Sequence, residues 1–180
     1  GRMRIYDPTT AAGYYYIPKT SGMYYWHTGM ASATVLDVMV DWNNDDGLDD
    51  PYAGLGSDFT AYYAESVTTM PTACYDPSSG RVYLMFMMPV EYEISAGNQT
   101  YYDIFGCYSD DGGTTWTSPV NITYTAYLGH ENAYASAFPK VMDGKIHLQW
   151  QQDEEPGTTQ DSPADDIVIN NILYNAFDPS

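Results

Sequence analysis

Oxygen ligands at alternating positions are the first feature of this sequence that could do chemistry. Asp41, Asn43, Asp45 and Asp49 lie in the run Asp41-Trp42-Asn43-Asn44-Asp45-Asp46-Gly47-Leu48-Asp49-Asp50. A hard cation such as calcium takes several oxygens at once, and alternate residues of a looped chain can converge on it. The run follows the first half of a calcium loop. Gly47 stands one residue later than an EF-hand turn requires, and no Glu closes the loop, so an acidic surface turn is the competing reading. A second group, Glu131 with Asp153, Glu154 and Glu155, is a candidate carboxylate site. Glycoside hydrolysis needs two carboxyl groups about 5–9.5 Å apart. With 24 Asp and Glu in the chain some pair meets that spacing by chance, and a solvated loop accounts for 153–155 equally well.

Other reactive constellations are weaker. His27, His130 and His147 have no zinc spacing, and His147 alternates with apolar residues as a packed or surface histidine would. Neither Cys74 nor Cys107 stands beside a conspicuous base. Two cysteines make no disulfide framework, and spacing alone leaves their pairing open. No Gly-rich phosphate loop follows a strand.

The elements that must position these residues read as strands. No segment longer than a few residues has helical period. Tyr 19, Gly 15 and Pro 11, with many Thr and Ser, describe a β-protein rich in turns. Strands are expected over 1–6, 13–17, 23–28 and 33–40, followed by an acidic loop over 41–60. A strand ends near Tyr75 and Asp76-Pro77-Ser78-Ser79-Gly80 makes a turn. Arg81 to Met88 is an apolar strand expected to be buried on both faces. Residues 89–99 read as a polar loop, 100–108 as a strand, 109–115 as a tight turn, and 116–125 as a strand broken by Pro119. A second unit then repeats the pattern: approach strand 133–142, turn Asp143-Gly144, central strand 145–151, acidic loop 153–165 and strand 166–176. Gly80-Arg81-Val82-Tyr83-Leu84 matches Gly144-Lys145-Ile146-His147-Leu148 in kind, and Asp103-Ile104 matches Asn171-Ile172. Each approach strand has a proline, Pro71 or Pro139. A repeated turn–strand–loop–strand unit belongs to radial or stacked β-architecture.

Ser109-Asp110-Asp111-Gly112-Gly113-Thr114-Thr115-Trp116 carries the most information. An Asp in a tight turn accepts hydrogen bonds from amides that have no ladder partner. Gly113 can take a positive φ, and Trp116 can pack beneath the turn. Ser109, Asp111, Gly113, Thr115 and Trp116 fit the pattern Ser-x-Asp-x-Gly-x-x-Trp, which resembles the Asp-box, or BNR repeat, of sialidase-like β-propellers. In that family the box is structural and usually lies away from the active site. A wider resemblance runs over about residues 60–178, through Thr69-Met70-Pro71-Thr72, Pro119-Val120-Asn121-Ile122-Thr123, Ala137-Phe138-Pro139-Lys140-Val141 and Leu148 to Gly157. It is to the later blades of large secreted propeller proteins of the Bacteroidota, of the type IX secretion kind.

The resemblance implies an all-β fold of antiparallel four-stranded blades. Residues 1–60 would hold partial blades with the acidic loop, 61–130 the blade with the Asp-box, and 131–180 the following blade, all in one propeller domain. At about 40–50 residues per blade, 180 residues make about three to four blades, an incomplete ring. Its uncovered edges and faces would require other protein chains or the remainder of the propeller. Tyr14 to Tyr16 and Tyr24 to Trp26 are candidate contact runs, though alternation between core and surface explains both as well.

Charge narrows the function. Six Lys and Arg against 24 Asp and Glu give a net charge of -18, and no basic stripe exists for a phosphate backbone or an anionic membrane. No run of about 18 apolar residues could span a bilayer. Hydrophobic residues at 44% and aromatic residues at 16% argue against disorder. Acidity of this degree also suits a protein kept soluble after export. The chain begins at Gly1 without a signal-peptide pattern, which reads as a mature form, a processed fragment or a partial chain. A sialidase-like enzyme uses an arginine triad. Here Arg2, Arg4 and Arg81 are the only arginines, the Arg-Ile-Pro motif is absent, and no triad can be mapped. The expected function is therefore a non-catalytic bacterial propeller segment, secreted or at the cell surface, acting in protein assembly or ligand binding, with calcium as the one candidate cofactor. The alternatives are a sialidase-like glycoside hydrolase fragment and a lectin-like propeller whose exposed Tyr and Trp stack on sugar rings.

Overall fold

The computed structural model describes residues 4–6, 14–16, 23–36, 68–157 and 168–179. Among them the protein is all-β, with antiparallel strand pairs throughout and one short 3-10 turn at Ala126–Leu128. Two hairpins come first: β1 (Arg4–Tyr6) with β2 (Tyr14–Tyr16), and β3 (Met23–Tyr25) with β4 (Thr34–Leu36). A four-stranded meander follows, formed in sequence order by β5 (Thr69–Tyr75), β6 (Val82–Ile94), β7 (Thr100–Ser109) and β8 (Val120–Asn121). A three-stranded meander, β9 (Glu131–Ala137), β10 (Ile146–Asp153) and β11 (Asn171–Phe177), completes the described chain.

The second meander repeats the first at the level of residue pairs. Thr69↔Met87, Thr72↔Met85 and Ala73↔Leu84 in the first become Ala133↔Gln151, Ser136↔Gln149 and Ala137↔Leu148 in the second. Every residue in those pairs moves by 64 positions. Across the other edge, Val82↔Ser109 and Met88↔Asp103 become Ile146↔Phe177 and Gln152↔Asn171. Even the irregularities repeat. One bulge puts two residues, Met70 and Pro71, opposite Phe86, and the other puts Tyr134 and Ala135 opposite Trp150. Met70 and Tyr134 both take a positive φ, 52° and 56°. Bulges of this kind re-aim a strand and raise its twist.

Local chemistry accounts for the turns. Asp76 Oδ1 accepts the Ser78 N–H at 2.9 Å, which closes the β5–β6 corner as an Asx turn. Asp143-Gly144 joins β9's extension to β10 with φ positive at both residues (52° and 72°), the two-residue turn that an Asp-Gly pair favours. Met142 and Lys145 exchange both backbone hydrogen bonds across it, at 3.0 and 2.9 Å.

The layers stack face to face. On β6, Leu84, Phe86 and Met88 point to one side and meet Phe105, Cys107, and Met23 and Leu36 of the β3–β4 hairpin. Tyr83, Met85 and Met87 point to the other side and meet Ile104, and Ala133, Ile146 and Leu148 of the second meander. The apolar run of β6 is thus buried on both faces, as its composition predicts. Phe86, Phe105, Met85, Met87 and Ile104 are fully buried, each worth about 1.5–3 kcal/mol over exposure. Cys74 and Cys107 are both free and buried, and they belong to opposite faces of the first meander, so they do not pair.

Three sequence expectations are corrected. Residues 89–94 are not loop, because β6 continues through them to Ile94 before turning at 95–99. The strand expected over 116–125 is only Val120–Asn121, since on either side the Thr117 and Thr123 hydroxyls, not backbone carbonyls, accept the Tyr108 and Ile104 N–H groups of β7. Pro71 and Pro139 are not equivalent. Pro71 lies at the bulge of an edge strand, where its missing N–H breaks no ladder bond. Pro139 lies beyond β9, and its carbonyl accepts the Tyr75 N–H at 3.0 Å.

Candidate functional site

Three groups of polar residues are candidates. The first is the carboxylate cluster. Glu131 and Asp153 face each other as Cα partners at one end of β9–β10, and both are buried. Glu131 Oε2 accepts the Tyr102 N–H at 2.6 Å, which ties β9 to β7. Asp153 Oδ1 accepts the Glu155 N–H at 3.2 Å, and burial raises its pKa above the usual carboxylate value. The Tyr101 hydroxyl donates to the Glu154 carbonyl at 3.1 Å. Burial raises the Tyr101 pKa, and the charges of Glu155, Glu131, Asp153 and Glu154 raise it further. Folding therefore brings the four predicted residues to one end of β9–β10, where Tyr101 meets the Glu154 carbonyl. Their setting differs from that of a hydrolase. One oxygen of Glu131 is committed to backbone, and the described clefts of 460, 380 and 230 Å³ are lined by other residues.

The second is the Asp-box turn. Asp111 Oδ1 accepts the backbone N–H groups of Thr114 (3.0 Å) and Thr115 (2.9 Å) and the Ser109 hydroxyl (2.8 Å), while Oδ2 accepts the Thr115 hydroxyl (2.7 Å). Ser109 Oγ in turn accepts the Gly113 N–H at 2.7 Å, and Trp116 Nε1 donates to the Gly113 carbonyl at 3.1 Å. Every box residue thus works on the turn itself. Arg81 fixes the turn from the adjacent corner. Its guanidinium pairs with Asp110, with Nε 2.6 Å from Oδ1, and lies 4.0 Å from the centre of the Tyr108 ring. This arginine, one of three in the chain, is engaged in a surface ion pair.

The third group is absent from the sequence reading. Asp103 is 1% exposed and has five donors. They are the Asn121 amide, the Thr123 hydroxyl, the Asn132 amide and the backbone N–H groups of Thr125 and Ala126. Asn132 Oδ1 accepts from Trp150 Nε1 (2.9 Å) and Gln152 Nε2 (3.0 Å). The network holds the crossover from the first meander to the second. Its signal in the sequence is an acid set inside the apolar run Tyr102-Asp103-Ile104-Phe105. Beside it, Tyr124 and Tyr127 are exposed, with ring centres 5.4 Å apart, over the 230 Å³ cleft that Glu91, Glu93 and Asn121 also line. Tyr124 has φ 49°, and its N–H is held by Asn121 Oδ1 at 2.8 Å.

Metal chemistry finds no centre in these groups. Among the described residues no three His, Cys, Asp or Glu are arranged to hold an ion. Asp41, Asn43, Asp45 and Asp49, the calcium candidates, lie outside the described residues. His147 is half-buried, with Nδ1 2.6 Å from the Tyr174 hydroxyl.

Two carboxylates give stability opposite pH dependences. The Thr115 amide and hydroxyl and the Ser109 hydroxyl hold Asp111 down at about 2. Its folded pKa is depressed, so the box's contribution is complete above the ordinary Asp value of about 3.9. It is lost as pH falls from there to about 2. Asp153 has a raised folded pKa. Its contribution is complete below the ordinary value and lost as pH rises through the raised one. Asp153→Asn is therefore expected to melt higher than wild type at neutral pH and level with it near pH 3. Thermal melts at the two pH values check this, and a lower neutral-pH melt would contradict it.

Compared with known proteins, the chain matches no protein-family model and no curated protein.

Proposed function

We propose that this chain is a run of blade units from an Asp-box β-propeller, secreted or held at the bacterial cell surface, which acts in protein assembly or ligand binding and carries out no glycoside hydrolysis. One observation carries the reading. Consecutive meanders repeat residue pair for residue pair and pack face to face, so the first meander is covered on both faces by its neighbours. That is how blades succeed one another around an axis. The Asp-box turn at the β7–β8 connection agrees with it. The engagement of Arg81 with Asp110 and of Glu131 with the Tyr102 amide supports a role without catalysis. The test is incubation of the purified chain with fluorogenic sialosides and related glycosides. No turnover above buffer is expected, and turnover that Glu131→Gln or Asp153→Asn abolishes would replace this reading with the hydrolase.

The exposed Tyr124–Tyr127 pair favours sugar as the ligand class if the chain binds one, because ring faces beside Glu91, Glu93 and Asn121 combine stacking with acceptors for hydroxyl groups. A glycan array tests it, with binding expected to fall at least tenfold in Tyr124→Ala.

A further inference from the structure

Among the described residues, the two end layers of the stack differ from its middle in one respect. In the first meander the face of Tyr83, Met85, Met87 and Ile104 is buried beneath Ala133, Ile146 and Leu148. The repeat places His147, Gln149, Gln151 and Ile172 at the same positions of the second meander. Ile104 is 0% exposed, whereas Ile172 is 70% and the neighbouring Tyr174 is 64% exposed. Residue type and strand register agree between Ile104 and Ile172, while their neighbours on the face change from Tyr83, Met85 and Met87 to His147, Gln149 and Gln151, and no covering layer lies over Ile172 among the described residues. A 460 Å³ cleft, lined by Phe138, Met142, His147, Gln149 and Tyr174 among others, opens on this face.

At the opposite end, the β3–β4 hairpin turns Met23 and Leu36 inward. It turns the cross-strand pair Tyr24 and Val35 outward, 74% and 59% exposed, with Trp26 beside them. The stack has a direction. Between the meanders the Tyr83-type face of the first meets the Leu84-type face of the second, and the hairpin pair Met23↔Leu36 stands 64 and 68 positions before Met87↔Ile104, so the hairpin likewise turns a Tyr83-type face onto the Leu84-type face of the first meander. The outer face of the hairpin is of the second kind, which is what the second meander lacks. Tyr24 and Val35 at one end and His147, Gln149, Gln151, Ile172 and Tyr174 at the other are uncharged, in a chain of net charge -18, and the acids of β9–β10, Glu131 and Asp153, are buried at one end of that pair. β10 contributes only His147, Gln149 and Gln151 to the face, its Asp153 lying at the buried end.

We infer that the open face of β9–β11 docks a second copy of this chain, which presents its β3–β4 hairpin and continues the stack head to tail. The inference rests on the stacked-unit reading above. Such a heterologous contact adds copies until rotation closes a ring. Burial of apolar surface drives it, and the self-repulsion of two strongly acidic chains opposes it. Added salt shortens the screening length from about 10 Å at 0.1 M to about 3 Å at 1 M, so association is expected to strengthen with sodium chloride.

Light scattering on the full chain, over series in protein and salt concentration, tests the inference. The weight-average mass is expected to climb above the single-chain 20.1 kDa, and further at high salt. Tyr174→Arg and Tyr24→Arg each block one face, so each alone is expected to stay at the single-chain mass. An equimolar mixture of the two is expected to stop at two chains, because each variant keeps the face that the other has lost. Circular dichroism confirms that the variants fold, and Tyr174→Thr with Tyr24→Thr replace them where arginine does not. A single-chain mass under all conditions overturns the inference, as does association indifferent to both substitutions or a mixture that fails to pair. The mass and the glycoside assay fail independently: turnover would remove the proposed function without altering association, and a monomer would remove only the docking.

Discussion

Asp103→Ala is expected to destabilise the fold by about 3–5 kcal/mol, because several hydrogen bonds to one buried carboxylate are lost together and their donors are left without an acceptor. The carboxylate is 1% exposed and gathers donors from β8, the loop after it, the 3-10 turn and β9. The strongest by distance are the Asn121 amide (2.7 Å), the Asn132 amide (2.7 Å) and the Thr123 hydroxyl (2.8 Å). A hydrogen bond to a charged group contributes about 1.5–3 kcal/mol, and a buried donor left without an acceptor costs about 1–3 kcal/mol. Some donors find replacements, since Asn132 Nδ2 already reaches Thr125 Oγ1 at 2.6 Å, and this keeps the total below the simple sum. Asp103→Asn keeps one acceptor but turns an amide donor toward other donors, so an intermediate loss is expected. The urea midpoint at unchanged slope measures both. A loss below about 1 kcal/mol for the alanine variant would show that the network contributes no more than a solvated one. Because Asn132 shares the network, Asp103→Ala and Asn132→Ala should be non-additive in a double-mutant cycle.

Gly113→Ala is the second substitution with a large expected effect, about 3 kcal/mol. Gly113 has φ 93°, which an L-residue enters only at a cost of about 1–2 kcal/mol. A Cβ there would lie 2.1 Å from Tyr25 Cε1 and 2.3 Å from Cδ1, far inside contact distance. The ring is not free to swing away. Trp116 meets it edge-on with centres 5.2 Å apart, and Trp116 is itself tied to the Gly113 carbonyl. Displacing such a packed ring adds about 1–3 kcal/mol. The strain falls on the seat of the β3–β4 hairpin, so loss of near-ultraviolet dichroism from Tyr25 and Trp116 should accompany the lower midpoint. Tyr25→Ala in the Gly113→Ala background removes the clash and leaves the backbone share. The two substitutions are therefore expected to couple favourably, and simple additivity would place the cost in the backbone alone.

The value of the repeat for reading this chain lies in its register. The match of Gly80-Arg81-Val82-Tyr83-Leu84 to Gly144-Lys145-Ile146-His147-Leu148 is visible in the sequence because turn chemistry and strand alternation are local. It extends correctly to Asp103 and Asn171, which pair with Met88 and Gln152 at equivalent positions. The bulges at Met70 and Tyr134 are not visible. Neither residue is a glycine, and a positive φ at a methionine or tyrosine is imposed by the neighbouring strand. The extension of β6 to Ile94 is missed for a similar reason. The polar residues Glu91 and Glu93 suggest loop by composition, while pairing of Ile94 with Thr100 keeps them in the ladder.

The sequence by itself determined the class of fold, the two-sided burial of β6 and the chemistry of the turns, Asp76 and Asp111 above all. These depend on residues within a few positions of one another, whose side chains reach the nearest unpaired amides whatever the rest of the chain does. Tertiary structure alone decided which polar groups meet. Glu131 and Asp153 become neighbours only through β9–β10 pairing, and Asp103 finds its donors only where one meander crosses to the next. It also decided that Ile104 is core while Ile172 faces solvent. Strand alternation assigns a residue to a face, but only packing between sheets determines whether that face is covered.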